Sequence, residues 1–425
     1  MKKTLIALAT LAAATGAMAQ STVTLFGGAD LNVRSVTSGT NKFTGMAQDG
    51  IYSSRFGVMG TEDLGGGLKA GFHFEGGMNP DVGTSAKFDF QRKSTIGLAG
   101  GFGEVRLGRD YTPLFTVAGI ADPFGTNGVG SSYNMANAAV LVETSISAQT
   151  AANAAGTFVT ANRGNIATVV PSAVSAAAVP ASYTLADPNA VRANNSVAYY
   201  SPAFNGFSAA LMYSFGTENT NTQKKAGTMT SLKLAYANGP VSVAFANQVT
   251  KGGDAGALAT AAAASLQVLG ATCATGAVNA TATTQQCLAA ATAGTVATED
   301  QKWTSNFLAG SYDLGVAKLS LGYKTDKLSE PTDSATFKSM IYGVTAPVGA
   351  VTLKASYVTR KVDGDKVGNQ FAVGAIYDLS KRTSVYTTYS VLKNEAGGGN
   401  TVGSTVASAG GVKSKGFEAG VKHNF

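Results

Sequence analysis

The chain ends on Gly416-Phe417-Glu418-Ala419-Gly420-Val421-Lys422-His423-Asn424-Phe425, and the alternation in this stretch decides the fold. Phe417, Ala419, Val421, His423 and Phe425 share one parity, while Glu418, Lys422 and Asn424 share the other. Successive side chains of a strand point to opposite faces, so the tail has one mostly apolar face and one polar face. A terminal strand frays unless something pairs with it. An apolar-faced last strand therefore implies a sheet closed by its final member.

Working outward, the same pattern recurs. Leu232, Leu234 and Tyr236 alternate with Ser231, Lys233 and Ala235; Val351, Leu353, Ala355 and Tyr357 alternate with Thr352, Lys354 and Ser356. Runs of about ten residues with this period are the signature of a transmembrane β-barrel. Sixteen such segments are expected, starting near Thr22, Ile51, Gly67, Lys87, Phe102, Asn194, Gly206, Gly227, Pro240, Lys302, Gly315, Ser334, Val348, Val367, Lys381 and Val412. Short connections such as Asn238-Gly239 alternate with long ones such as Tyr111 to Ala193, Lys251 to Gln301 and Asn394 to Gly411. That asymmetry suits short periplasmic turns and long external loops. The expected fold is all-β, a 16-stranded antiparallel barrel.

The start of the chain says where such a sheet lives. Lys2 and Lys3 are followed by an apolar run from Thr4 to Ala14 and by Ala17-Met18-Ala19, which reads as a secretory signal peptide over residues 1–19. The mature barrel then spans 20–425. Without those two lysines the chain carries 30 basic residues against 25 acidic, from totals of 32 and 25. The excess is small and nowhere concentrated, which argues against nucleic-acid binding. Two low-complexity loops interrupt the pattern, at about 125–190 and 251–300; loops this long are functional or disordered. Cys273 and Cys287 lie in the second, and in an oxidising compartment a local disulfide is the default.

Catalytic groups are scarce. The chain has two histidines, and no nucleophile elbow, zinc-protease or phosphate-loop motif is present. His73 shares its parity with Lys69 and Glu75 and is expected to line the lumen rather than to catalyse. No cofactor or metal is implied. Arg55, and the pair Glu104 and Arg106, fall on the polar parity; an arginine facing lipid near the midplane would cost ~2–4 kcal/mol, so these should point inward. Charges at a narrow point select ions. A surface-exposed adhesion barrel, with its long loops as the functional part, is the alternative reading.

Several stretches closely resemble the general trimeric porins of Gram-negative bacteria, of the β-proteobacterial type. They include Val23-Thr24-Leu25-Phe26-Gly27, Ser54-Arg55-Phe56-Gly57, Phe102-Gly103-Glu104-Val105-Arg106-Leu107-Gly108-Arg109, Asp122-Pro123-Phe124-Gly125, Asn195-Ser196-Val197-Ala198-Tyr199-Tyr200-Ser201-Pro202 and the terminal Gly420 to Phe425. The resemblance implies a homotrimeric outer-membrane channel for ions and small hydrophilic solutes. It also implies a third external loop folded into the lumen. Wall arginines at Arg55, Arg92 and Arg109 would face Asp122 on that loop, with Arg163 or Arg192 completing the basic cluster. A mild anion preference follows from the wall charge. Phe425 looks like the signal read by the barrel-assembly machinery, and the outer wall would meet lipid and lipopolysaccharide. Alternation alone places Arg92 with Ile96 and Leu98, on the lipid parity; the resemblance places it in the lumen.

Overall fold

A computed structural model describes residues 21–83, 89–136, 187, 189–216, 227–251, 302–329, 334–395, 398–403 and 411–425, together with strand backbone at 140–143, 157–162, 165–171 and 182–185. The wall begins with β1 (Thr22–Ser38), β2 (Asn41–Gln48), β3 (Arg55–Gly65), β4 (Leu68–Gly77), β5 (Lys93–Gly100) and β6 (Gly103–Tyr111). Helices α1 (Pro113–Ala121) and α2 (Tyr133–Ala136) follow. Two small hairpins come next, outside the wall: β7 (Val140–Glu143) pairs with β10 (Ser182–Leu185), and β8 (Thr157–Asn162) with β9 (Asn165–Pro171). The wall resumes with β11 (Arg192–Tyr200), β12 (Phe207–Ser214), β13 (Thr228–Asn238), β14 (Val241–Lys251), β15 (Lys302–Asp313) and β16 (Lys318–Ser329). It ends with β17 (Ser334–Val348), β18 (Val351–Val362), β19 (Asp365–Asp378), β20 (Thr383–Asn394) and β21 (Lys413–Asn424).

Every wall pairing is antiparallel, and β21 returns to β1 in register from Gly28↔Asn424 to Ser38↔Ser414. The sheet therefore has no free edge, which is what allows strands to stand in lipid. β2 and β3 both pair with β1, one along Leu31–Ser38 and the other along Thr22–Gly28. They share one position in the circuit, so the barrel has sixteen. The tight turns follow local chemistry: at Asn238-Gly239-Pro240, Gly239 sits at φ +55°, a conformation most side chains resist.

The expected segments coincide with the observed strands except near the start. The first connection was expected to run to Ile51; instead β1 turns at Gly39 into β2, and residues 49–54 form a break before β3. The break has a cause. Buried Asp30 accepts the Ile51 and Tyr52 N–H groups at 2.7 and 2.8 Å and the Tyr386 hydroxyl, while Asp49 accepts the Ser54 N–H at 2.7 Å. These side chains take over backbone bonds that a continuous strand would have made. The strand expected from Lys87 begins at Lys93; Lys87 itself lies outside the described residues, as do residues 1–20, Arg163, Cys273 and Cys287.

The outer face carries Leu25, Leu234, Leu321, Phe371 and Phe417, all widely exposed, as a lipid-facing surface requires. The inner face is polar on most strands and apolar or small on β14 to β18, where Ala244, Ala246, Phe307, Ala309, Ile341 and Val358 are buried. Leu114, Val117, Ala118 and Ala121, from the connection that follows β6, pack on these residues, and Val129 from the same connection sits against Gly416 of β21. At roughly 1.5–3 kcal/mol for each large aliphatic side chain buried, this is a stable seat.

Candidate functional site

The seated segment starts where Thr112 caps α1: its Oγ1 accepts the Phe115 N–H at 3.2 Å, and Pro113 occupies the first turn. Wall side chains then satisfy its backbone. Ser231 Oγ accepts the Leu114 N–H at 3.3 Å, and Ser320 Oγ donates to the Ala121 carbonyl at 2.9 Å. Gln370 Nε2 donates to the Ser131 carbonyl at 3.0 Å, and Arg360 Nη1 to the Met135 carbonyl at 2.7 Å. Glu418, fully buried on β21, accepts the Val129 N–H at 3.2 Å and Arg34 Nε at 2.9 Å. A Cβ at Gly128, which has φ +65°, would overlap both Glu418 Oε1 and the Gly50 carbonyl. Only glycine permits that approach.

Beside the start of α1, joined to it through Tyr111, stands a basic cluster. Glu75 Oε1 accepts Arg92 Nε at 2.7 Å and Arg55 Nη1 at 3.5 Å, and His73 Nε2 lies 3.6 Å from Glu75 Oε2. Arg92 and Arg192 both donate to the Tyr111 hydroxyl, at 2.8 and 2.6 Å. Arg192 lies over the Tyr111 ring at 4.3 Å, and Arg55 over the Tyr52 ring at 4.2 Å. Next to it, Asp110 holds Lys93 at 3.2 Å and Arg106 at 3.0 Å, and Glu104 holds Arg106 at 2.7 Å. Burial pushes the Tyr52 phenol above its ordinary range.

Arg55, His73, Glu75, Arg92 and Arg192 are thus brought together, with Glu104 and Arg106 beside them. Arg92 precedes β5, so strand parity does not bind it, and it turns to Glu75. Arg109 does not join. It stands opposite Ser94, on the outward parity of Leu107, and donates to the Gln91 carbonyl and to Asn194 Oδ1. Lys69 is exposed at the turn end of β4, in register with Asp63.

Asp122 does not face the arginines either. Its carboxylate accepts the N–H groups of Phe124, Thr126 and Ser132 and the Ser132 hydroxyl, and so folds its own loop. Burial pushes this carboxyl above the ordinary range, against those hydrogen bonds. The expected pairing of wall arginines with this loop acid is replaced by pairing with Glu75 on the wall. Residues 112–136 contain no other charged group.

Sequence reasoning missed three cations and the aromatic partners. Lys233, Lys354 and Lys422 stand on the inward parity, and none lies within ion-pair distance of a carboxylate among the described residues. Lys233 Nζ donates to Thr116 Oγ1 at 2.9 Å, and Lys422 Nζ lies 5.9 Å from the centre of the Tyr52 ring. Their signal was visible, since each is a lysine alternating with aliphatic residues. Among the described residues, the inward acids outside this cluster are also engaged: Asp30 by Tyr386 and the 51–52 backbone, Asp326 by Lys324 at 2.7 Å, and Glu418 by Arg34.

A family model described as Gram-negative porin matches residues 4–333 and 288–397. The chain is 34% identical to outer membrane porin protein 32 of Delftia acidovorans over 438 residues, covering 100% of both. It is 27% identical to an outer membrane porin protein of Bordetella pertussis, covering 93% of this chain and 95% of that one. Among solved structures it resembles an anion-selective porin from Comamonas acidovorans, with a TM-score of 0.69 and 28% identity over 96% of this chain and 100% of the other.

Proposed function

Because this chain belongs to the Gram-negative porin family, and so to the outer membrane, we propose that its barrel passes small hydrophilic solutes by diffusion and prefers anions. The observation that carries the preference is the balance of free charge inside. Among the described residues, Lys233, Lys354, Lys422 and Arg192 have no carboxylate partner, whereas the inward acids are held by arginines, lysines, hydroxyls or backbone N–H groups. A low-dielectric wall focuses the field of unpaired charges into the water between, raising the local concentration of counter-ions. The name of the Comamonas structure, an anion-selective porin, agrees in sign.

In this reading the segment 112–136 is the third external loop folded inward, and it sets the aperture with Arg55 and Arg92 across from it. No bond is made or broken in the solute. Phe425, whose N–H donates to the Gly27 carbonyl at 3.0 Å, serves as the signal for barrel-assembly machinery. Three copies associate through their outer walls, with lipid and lipopolysaccharide around them. The decisive measurement is the reversal potential of the purified protein in a planar bilayer under a KCl gradient. A chloride-selective sign is expected; a potassium-selective sign overturns the proposal.

A further inference from the structure

The wall facing the free arginine edge is apolar, not acidic. α1 has the sequence Pro-Leu-Phe-Thr-Val-Ala-Gly-Ile-Ala, without a charge. Its buried side is Leu114, Val117, Ala118 and Ala121; the side left toward the lumen is half-buried Phe115 and Ile120 with exposed Thr116 and Gly119. Among the described residues, a Cβ built on Gly119 meets nothing within 4 Å. Tyr111 joins this apolar strip to the cations. Its ring stacks on Phe115 at 5.3 Å and 10°, and the guanidinium of Arg192 lies over the same ring at 4.3 Å.

Arg192 has capacity to spare. One Nη donates to Tyr111, and among the described residues neither the other Nη nor the buried Nε has a hydrogen-bond partner. A buried donor without an acceptor is costly, and a guanidinium edge is matched best by a carboxylate taken through two parallel bonds. A second negative charge would be opposed, because Glu75 already shares Arg55 and Arg92 nearby. Resting on the anion-channel reading above, we infer that Arg192, Tyr111, Phe115 and Ile120 form a subsite for monocarboxylates with a planar apolar body, such as aromatic acids. The carboxylate docks on Arg192 while the ring lies along Phe115 and Ile120. Inorganic polyanions gain nothing from that strip, and neutral rings gain nothing from Arg192.

The test is chloride current through the purified full-length channel in planar bilayers, titrated separately with benzoate, acetate, inorganic phosphate and benzyl alcohol. Benzoate should reduce the current at about tenfold lower concentration than acetate, the ratio that roughly 1.4 kcal/mol of ring contact supplies. Phosphate and benzyl alcohol should be weaker than benzoate. Arg192→Gln should raise the benzoate midpoint about tenfold, by the same conversion. Phe115→Ala should collapse the benzoate-to-acetate ratio by raising the benzoate midpoint far more than the acetate midpoint. Should Arg192→Gln not insert, as judged by heat-modifiable gel migration, the Phe115→Ala ratio decides alone. Benzoate no stronger than acetate, phosphate the strongest, or a ratio indifferent to Phe115→Ala each overturns the inference. A cation-selective reversal potential would instead remove the reading beneath it, so the two failures are distinguishable.

Discussion

Glu418→Ala should be among the most damaging substitutions on the wall, and its cost can be worked from the contacts. Glu418 is fully buried, and Arg34, 2.9 Å away, is nearly so. Removing the carboxylate strands a buried guanidinium, which costs about 3–5 kcal/mol when nothing replaces the partner. Arg34 keeps one bond, from Nη2 to the Gln48 carbonyl at 2.8 Å, which favours the lower end. The Val129 N–H also loses its acceptor, for about 1–3 kcal/mol. A total near 4–6 kcal/mol is expected, by addition of those two ranges at their low ends and middles. In the double variant Arg34→Met, Glu418→Leu the stranded charge is gone, and only the Val129 penalty of about 1–3 kcal/mol remains. The double variant should therefore be more stable than Glu418→Ala by roughly 3–4 kcal/mol, the stranded-guanidinium cost at its low end and middle. Equilibrium urea unfolding in phospholipid vesicles, followed by the fluorescence of buried Trp303, the chain's single tryptophan, measures both variants. If the double variant is no more stable than Glu418→Ala, the pair is not acting through charge and the reasoning fails.

Two further outcomes follow from the same geometry. Gly128→Ala places a methyl group where Glu418 and the Gly50 carbonyl stand, so the loop tip should lift from β21; single-channel records should become noisier while the barrel's thermal transition moves little, and a quiet trace at unchanged conductance would count against the seat. Replacing Lys233, Lys354 and Lys422 together by Gln should move the reversal potential toward zero without loss of conductance, and an unmoved potential would show that the selectivity comes from elsewhere, Arg192 included.

Strand placement was legible because polarity and period coincide: Leu353 and Lys354, or Val421 and Lys422, differ sharply in the side they require. β2 was not legible, because Asn41 to Gln48 puts Phe43 and Ala47 on one parity and Thr44 and Met46 on the other, so neither face contrasts with the other. Alternation alone put Arg92 on the lipid parity, and the resemblance put Asp122 opposite the wall arginines; the structure departs from both for a shared reason. Both lie in irregular backbone, where period says nothing and partners decide. A motif match could place Asp122 on the loop, yet only the fold reveals that the Phe124, Thr126 and Ser132 amides claim its oxygens first. Arg109 illustrates the converse. Its strand parity pointed outward, and the parity prevailed over the family expectation.

The apolar residues on the inner face of β14 to β18 account for the position of the positive charge. A loop that must lie across water can be held by charges or by burial. Here it is held by burial through Leu114, Val117 and Val129, with backbone carbonyls tied to Ser320, Gln370 and Arg360. Because the seat needs no loop carboxylate to reach the wall, residues 112–136 can dispense with exposed acids, and their one acid turns into the loop. Among the described residues, the arginines of β3 and the β4–β5 connection then share Glu75, and Arg192 of β11 holds no carboxylate. Anchoring by burial on one side thus leaves excess cation on the other, and in the anion-channel reading selectivity would follow from how the loop is held as much as from which residues face it.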